Sequence, residues 1–241
     1  MENDVLKAQQ CLDFLPNYPD NVKSIKERGI AIEKEIPDNA ILFIGINPSF
    51  DAKTQKIKGQ EGYSPTYDFN DMKNNPKFYG KAISIVEDIN RDGVICSFGH
   101  HDLFSIRETN QKIIEDMFQK SADSLCPKTE YSKFINKSLK WSEEVIAQSK
   151  PTMIVILNAF ASRLFFEYKI DGKYPLLNFV PADKELWSPE LGTDFVRLGN
   201  IPVPILFSGM LSGKRALDRG SEFRLRWHIN FVLKNKDKWP K

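Results

Sequence analysis

Four short apolar runs punctuate the chain, and stretches with helical spacing separate them. The apolar runs are rich in β-branched residues and occupy residues 41–44, 94–98, 153–157 and 203–207. They are typical of strands buried on both faces. Amphipathic helices are predicted at residues 78–89, 111–119, 135–147 and 159–166. This alternation predicts a three-layer α/β/α sandwich around a central, mainly parallel four-stranded sheet.

The segments outside this core are less regular. Two more helices are predicted at residues 5–15 and 22–35, the second stopped by Pro37, so that an amino-terminal helical extension of about residues 1–36 covers a flank of the sheet. Residues 169–200 have weak periodicity. Within them, residues 195–198 suggest a short strand that turns at Gly199-Asn200.

Composition indicates one cytoplasmic domain. A chain of 241 residues, 41% hydrophobic and 27% charged, suits a single globular domain over residues 1–241. We find no apolar run long enough to span a membrane, and the first ten residues, MENDVLKAQQ, lack a secretory signal. The three cysteines lack the spacing of a zinc site or a disulfide framework. We therefore expect a cytoplasmic monomer with no metal, no cofactor and no membrane partner.

Polar residues and glycines follow the predicted strands, at the edge where open α/β sheets bind ligands. After the first strand comes Gly45-Ile46-Asn47-Pro48-Ser49. Gly45 permits close approach, Pro48 fixes the backbone, and Asn47 places an uncharged amide in the crevice. Such a segment can hold a water molecule or a base edge. The alternative is a tight turn in which Asn47 caps backbone amides.

Aromatic and basic residues follow this segment. Phe50, Tyr63, Tyr67 and Phe69 offer rings on which a base can stack, or they pin a long loop to the surface. Three lysines of the same stretch either contact phosphates or are only solvated: Lys53, Lys56 and Lys58. From Lys214 to Lys241 there are nine Lys or Arg residues against three Asp or Glu, which suits either a phosphate contact or a solvated helix face.

Two of the three histidines are adjacent. His100 and His101 precede Asp102 at the end of the second predicted strand. Since neighbouring side chains of a strand point in opposite directions, at most one of the pair enters the crevice. Asp102 either joins the site or caps the next turn. His228 lies on a predicted amphipathic helix, where a structural role is the favoured interpretation.

Four segments in order resemble the uracil-DNA glycosylase superfamily, especially its mismatch-specific branch. Gly45-Ile-Asn-Pro-Ser49 is similar to its first motif, and Asn75-Pro-Lys-Phe-Tyr-Gly-Lys-Ala82 to its Gly-Asn-x-Phe-Trp-Lys-Ala stretch. The segment Asp102-Leu-Phe-Ser-Ile-Arg-Glu-Thr109 resembles Thr-Asp-Leu-Val-x-Arg-Pro-Thr. Finally, Phe207-Ser-Gly-Met-Leu-Ser-Gly-Lys-Arg215 resembles the loop His-Pro-Ser-Pro-Leu-Ser-x-x-Arg.

The resemblance implies an enzyme that extrudes a uracil, modified or mismatched base from DNA and hydrolyses its N-glycosidic bond, leaving an abasic site. It implies that Asn47 orients the attacking water, and we expect His101, from the second predicted strand, to assist the departing base. The base-binding residues would be Gly45, Ile46, Pro48, Phe50, Tyr67, His100, Asp102 and Asn158. The DNA-binding residues would be Ser208, Gly209, Met210, Leu211, Ser212, Lys214 and Arg215, with Leu211 and Ser212 forming a wedge and phosphate contact.

One position departs from the family. Phe207 replaces the family's histidine, and a benzyl ring cannot donate a hydrogen bond to a departing base. Backbone amides near Ser208, Gly209 or Ser212, or a histidine from the second strand, would have to replace it. The alternative function is therefore a glycosylase-like protein that binds nucleic acid or a nucleotide base without cleavage. An unrelated α/β hydrolase is disfavoured because no Gly-x-Ser-x-Gly elbow occurs.

Overall fold

The structure is a computed structural model that describes residues 2–17, 19–120, 125–181 and 185–241. Its helices are α1 (Glu2–Asp13), α2 (Asp20–Arg28), α3 (Phe69–Lys73), α4 (Pro76–Arg91), α5 (Gln111–Asp116), α6 (Ser132–Gln148), α7 (Ala159–Phe166) and α8 (Arg219–Lys234), followed by a 3-10 turn at Lys236–Lys238. Its strands are β1 (Ile32–Glu33), β2 (Ala40–Gly45), β3 (Thr66–Tyr67), β4 (Ser97–Asp102), β5 (Phe118–Lys120), β6 (Leu125–Pro127), β7 (Met153–Ile156), β8 (Trp187–Ser188), β9 (Thr193–Leu198) and β10 (Ile201–Phe207).

The central sheet has the strand order β4-β2-β7-β10-β9-β8. The first four strands are mutually parallel, and β9 and β8 add antiparallel pairings at one side. The expected mainly parallel sheet is confirmed, although six strands replace the expected four. Because the four parallel strands run in one direction, their carboxyl ends share one edge. There, Gly45 lies opposite Asp102 and Phe207 opposite Ile156.

Helices cover both faces of this sheet. One hydrophobic cluster joins alternate strand residues such as Leu42 and Ile44 to α1, α2, α5, α6 and α7. The other joins Ile41 and Phe43 to α3, α4 and α8. The central strands β2 and β7 carry no polar side chain because each of their faces packs against helices. In the described part of the chain, no helix has the length and apolar character required to cross a membrane.

The second helix is shorter than its sequence predicts. It ends at Arg28, and Gly29 adopts a φ of 77° that breaks the helical path. The chain then becomes extended: the Ala31 amide donates to the carbonyl of Ser105, and β1 pairs with β3. Pro37 is therefore not the helix stop. This correction matters for the site because it places Glu33 beside β4.

The second predicted strand is displaced along the chain. It was expected at residues 94–98, but β4 begins at Ser97 and ends at Asp102. Asn90 accounts for part of the difference, because its side chain hydrogen-bonds both the amide and the carbonyl of Cys96 and occupies the backbone groups of that residue. His100 and His101 thus lie inside the strand rather than after it. The helix expected at residues 111–119 likewise ends at Asp116 and gives way to β5, whereas β9 and the turn at Gly199 confirm the strand expected before residue 199.

Candidate functional site

Asn47 is held firmly at the carboxyl edge of the sheet. Its Nδ2 donates to three backbone carbonyls, at 3.0 Å from Pro48, 3.3 Å from Ile106 and 2.5 Å from Glu108. The amide therefore ties the β2 loop to the loop after β4, rather than capping backbone amides. No described residue donates to Oδ1. The side chain thus keeps one acceptor atom available at the edge.

His100 and His101 point to opposite faces of β4, as strand alternation predicted. His100 and Asp102 lie on the face of Gly45, whereas His101 packs against Trp141 of α6. His101 is fully buried, with 0% of its surface exposed. The expectation that His101 assists a departing base is wrong for this arrangement, because its ring lies within the core.

The His101 ring belongs to a buried hydrogen-bonded network. Its Nδ1 contacts Glu33, and its Nε2 lies 2.9 Å from the Ser142 hydroxyl, which donates to the carbonyl of Leu103 at 2.8 Å. Because Ser142 has a single proton and gives it to that carbonyl, His101 must donate through Nε2. The Ser-His-Glu order resembles a hydrolytic triad, yet here His101 cannot accept the serine proton. This arrangement is structural.

Glu33 connects the two faces of the edge strand. Burial alone would raise the pKa of its carboxyl group, but the charge and hydrogen bond of His101 outweigh burial and lower it. Its second oxygen lies 3.3 Å from the Tyr67 hydroxyl, which is also 3.3 Å from His100 Nδ1. Glu33 was not identified from sequence, since it lies 68 residues before His101 and no motif links them.

The hydroxyl of Tyr67 fixes the tautomer of His100. A carboxylate only accepts, so Tyr67 donates to Glu33 and accepts from Nδ1–H of His100. Nε2 of His100 is then an acceptor. Burial, the largest influence, lowers the pKa of His100 to about 4, so the ring is neutral at pH 7. Tyr79 supports the same ring edge-on, with centroids 5.0 Å apart.

Asp102 completes this group at the end of β4. It is 7% exposed, and its Oδ1 lies 3.8 Å from Nε2 of His100. Burial, reinforced by the negative charge of Glu33, raises the pKa of Asp102 to about 8. A side chain on Gly45 would overlap the Asp102 carboxyl group. The glycine of the first motif therefore makes room for an acid that is protonated at neutral pH.

Most of the aromatic side chains that were predicted to stack on a base are engaged in contacts within the protein. The Phe50 ring contacts the guanidinium groups of Arg28 and Arg107, which lie 5.1 and 5.2 Å from its centroid. Tyr63 hydrogen-bonds both backbone groups of Ile30, at 3.0 and 3.1 Å. These contacts favour the loop-pinning interpretation for Phe50 and Tyr63, and Tyr67 is a hydrogen-bonding bridge. Phe69 is 44% exposed and packs on a neighbouring ring.

Arg107 is a buried anchor for the same loop. It is 5% exposed and donates to the carbonyls of Arg28 at 3.2 Å and Lys56 at 2.8 Å. Its burial lowers the pKa of the guanidinium. The ammonium-bearing side chains of Lys53, Lys56 and Lys58 are exposed above it. Their contact with phosphates remains a prediction.

Several residues assigned to base binding are used by the fold. Asn158 caps α7, since its Oδ1 accepts from the amides of Phe160 at 2.7 Å and Ala161 at 3.4 Å. Its Nδ2 donates to Gln111 at 2.9 Å. Ile46 is 5% exposed in the core, and Pro48 is buried. In this arrangement none of these side chains is free to contact a base.

The loop after β10 is only partly exposed to solvent. Phe207 packs on Phe166 and Phe179, with centroids 4.5 and 5.3 Å away. Leu211 is 3% exposed and belongs to the core, so the expected wedge role requires it to leave that position. Lys214 and Arg215 are exposed, and no described carboxylate pairs with either.

Backbone hydrogen bonds and packing hold most of the other residues of that loop. The Ser208 amide extends the sheet by donating to the carbonyl of Ile156, and Met210 accepts from the amide of Leu217. Gly209 lies close to the Leu217 side chain. Ser212 is partly exposed. His228, on α8, lies 2.8 Å from the carbonyl of Leu191, in agreement with a structural role.

Two described cavities lie away from Asn47. One, of about 230 Å³, is lined by Trp187, Phe207 and His228, among others. The other, of about 300 Å³, lies at the amino edge of the sheet between Asn39, Thr152 and Trp239. Neither includes the polar group around Asp102. The chemistry of the carboxyl edge, rather than cavity size, therefore defines the candidate site.

The described residues contain no cluster of three or more His, Cys, Asp or Glu side chains suited to a metal ion. The carboxyl edge presents the restrained amide of Asn47, the neutral imidazole of His100 and the protonated carboxyl group of Asp102. Comparisons with protein-family models, with curated proteins and with solved structures found no match for this chain.

Proposed function

We propose that this protein is a DNA glycosylase that hydrolyses the N-glycosidic bond of an extruded uracil, modified or mismatched base. The observation that supports this most directly is the restrained amide of Asn47. Its nitrogen is held by three carbonyls at the carboxyl edge, which fixes the amide and leaves its oxygen as an acceptor. A water that donates to this oxygen would be positioned for attack without being deprotonated.

The sheet supports this proposal in its topology. Its parallel strands lie in the order second, first, third and fourth along the chain, and all end beside the Asn47 segment. DNA would lie across this edge, where Lys214 and Arg215 are available for phosphates. Such an arrangement resembles the four-stranded glycosylase sandwich that the sequence motifs indicate.

The reaction separates bond cleavage from water capture. The bond between C1′ and the base nitrogen breaks, and its electron pair leaves with the base. The water oxygen then bonds to C1′, and its proton passes to the released base or to solvent. An amide positions water but is a weak base, so this site suits a transition state in which the sugar already carries positive charge.

Single-turnover cleavage tests the function. Oligonucleotides containing uracil, hypoxanthine, xanthine or a methylated base are incubated with excess protein and then treated with alkali to cleave abasic sites. We expect Asn47→Ala to lower the rate by about 100-fold, the scale of a lost positioning or electrostatic contact. Asn70→Ala, which alters an exposed asparagine of α3, is the matched control and should retain the rate.

The alternative is a glycosylase-like protein that binds a base without cleaving. The packing of Phe207 among phenylalanine rings favours it, since this loop then supplies no imidazole to the departing base. Binding of modified DNA that depends on salt, with no product from the wild-type protein over hours, would establish this alternative and reject the glycosylase.

A further inference from the structure

Helix α8 carries three aromatic side chains at intervals of four residues. Phe223, Trp227 and Phe231 share one side of the helix, because residues four apart in an α-helix lie above one another. We call this side the α8 aromatic face. Phe223 is 47% exposed and Trp227 is 64% exposed, whereas the opposite side of the helix is buried against the sheet. A contiguous exposed apolar surface of this kind indicates an interaction site.

The exposed charges around this face are positive. Residues 223–234 read FRLRWHINFVLK and contain no Asp or Glu. Arg224 and Lys234 are exposed beside the rings, and Arg219 is exposed in the first turn of the helix. The carboxylate of Asp218, which precedes α8, is used to cap the first turn. A partner that complements this face therefore carries negative charge.

The acidic residues near the other side of α8 are engaged within the protein. Asp88 and Glu222 both pair with Arg226. The carboxylate of Asp92 accepts a hydrogen bond from Nδ2 of Asn230 at 2.6 Å. None of these three carboxylates forms an ion pair with an exposed cation of the aromatic face. The positive charge of the face is therefore left for a partner.

The ring contacts favour apolar side chains over nucleobases as the partner groups. Trp227 and Phe231 are nearly parallel, with centroids 5.1 Å apart and an angle of 9° between the planes, so each turns one face to the other. The guanidinium groups of Arg219 and Arg226 lie 5.3 and 5.6 Å from the Phe223 centroid. Base stacking needs open ring faces. Contact with aliphatic side chains is non-directional and does not need them.

A cavity adjoins the face. Its volume is about 230 Å³, and it is lined by Trp187, Leu206, Leu225 and His228, among others. The His228 ring lies beside Trp227, with centroids 6.3 Å apart. The cavity is smaller than the roughly 300–1,000 Å³ that is typical of a pocket for a whole ligand. It suits one large side chain of a segment that lies along α8.

We propose that the α8 aromatic face docks an acidic segment of another protein. Apolar side chains of that segment contact the rings and enter the cavity, and its carboxylates pair with Arg219, Arg224 and Lys234. A second copy of this chain fits less well, because two such faces would bring like charges together. The inference goes beyond the proposed glycosylase function. None of the residues of the face belongs to the candidate site, so docking does not depend on DNA cleavage.

Peptide selection tests the proposal without assuming a sequence. Random short peptides displayed on phage are selected on the full chain, and the affinities of the enriched peptides are measured by fluorescence anisotropy. These peptides should combine Asp or Glu with a large apolar residue, and added salt should weaken their binding. Trp227→Ala should weaken binding by about tenfold or more, the scale of an interface hot spot. Joint replacement of Arg224 and Lys234 by Glu should also weaken it about tenfold.

Two matched variants alter the other face of the sheet. Leu6→Ala removes a side chain of α1 that is 56% exposed. Joint replacement of Lys133 and Lys140 by Glu reverses two exposed charges of α6. Both variants should bind the peptides as the wild type does, since α1 and α6 cover the opposite face from α8. Circular dichroism checks folding, and the charge-reversed α8 variant decides the outcome if Trp227→Ala does not fold.

Several results would overturn the proposal. Enriched peptides that are basic, or that bind the charge-reversed α8 variant as well as the wild type, would exclude an acidic partner. Failure to enrich any peptide whose binding depends on Trp227 would exclude a docking surface. Tighter Trp227-dependent binding of oligothymidylate would identify a nucleic-acid surface instead, and Trp227-dependent dimers in sedimentation velocity would identify a contact between copies. Absence of DNA cleavage by the wild type would reject the glycosylase alone.

Discussion

At the scale of single residues, one strand end carries two histidines with opposite roles. Alternation along β4 predicted that at most one of them enters the crevice, and the two rings do lie on opposite faces of the strand. The sequence could not indicate which one, because the choice depends on the register of β4 against β2 and on Glu33 from a distant segment. His101 anchors the core, whereas His100 and Asp102 share a face with Gly45. The polar side chains of this strand end that lie beside Gly45 are therefore those of His100 and Asp102.

The raised pKa of Asp102 predicts a stability effect that is independent of activity. Between about pH 4 and its pKa of about 8, the unfolded chain ionises this carboxyl group while the folded chain keeps it protonated. Unfolding then releases a proton, so stability falls as pH rises through this window. Asp102→Asn removes that penalty.

We expect Asp102→Asn to gain at least about 1.4 kcal/mol of unfolding free energy at pH 8 compared with its effect at pH 4, the equivalent of one pKa unit. Urea unfolding at both values, with Asp92→Asn as control, measures the difference. An equal effect of Asp102→Asn at both pH values would contradict a protonated Asp102 in the folded chain.

At the scale of elements, the apolar runs predicted which segments form strands more accurately than they predicted where those strands begin and end. The runs at β2, β7 and β10 were recognisable because both faces of these strands are buried by helices. The β1 segment was assigned to a helix, since its residues continue a helical pattern. Its extended form comes from pairing with β3 and from the Ser105 carbonyl, neither of which is local in sequence.

The end of α2 allows a test of whether contacts that are distant in sequence fix the boundary of this helix. Gly29 has a φ of 77°, and an added Cβ would overlap the Tyr63 hydroxyl and approach Lys58 to 3.2 Å. Gly172 has nearly the same φ, 76°, with open space around it. We expect Gly29→Ala to destabilise the protein by about 1–3 kcal/mol more than Gly172→Ala, because both introduce backbone strain but only the first adds overlap. Urea unfolding measures both, and equal losses would show that strain alone matters.

At the scale of the whole molecule, parallel strands gather the chemistry at one edge. The loop at Lys214 is more than 100 residues away in sequence from Gly45, Asn47 and Asp102. The strands β2, β4 and β10 nevertheless end on the same side of the sheet. Strand direction was predictable from the alternation of strands and helices. The side-chain partners at that edge were not, because capping by Asn158 and burial of Leu211 depend on how whole helices and loops pack.

If DNA lies across this edge, DNA binding should depend more on where a positive charge is placed than on the net charge of the protein. Replacing Lys214 and Arg215 with alanine removes two exposed cations at the carboxyl edge. Replacing Lys236 and Lys238 removes two cations beyond the carboxyl end of α8, close to the amino edge of the sheet. Both variants change the net charge equally. If both residues of the first pair contact phosphates, its loss should reduce the slope of log K against log salt by about 1.4–1.8.

Fluorescence anisotropy with a labelled oligonucleotide, repeated over a series of salt concentrations, gives these slopes. The wild type and the Lys236/Lys238 variant should share one slope, and the Lys214/Arg215 variant should have the shallower one. Base identity should alter the intercept but leave the slope unchanged, because phosphate contacts carry no sequence information. Equal slopes for the two variants would place the DNA elsewhere on the surface and would separate Asp102 and Asn47 from the nucleic-acid path.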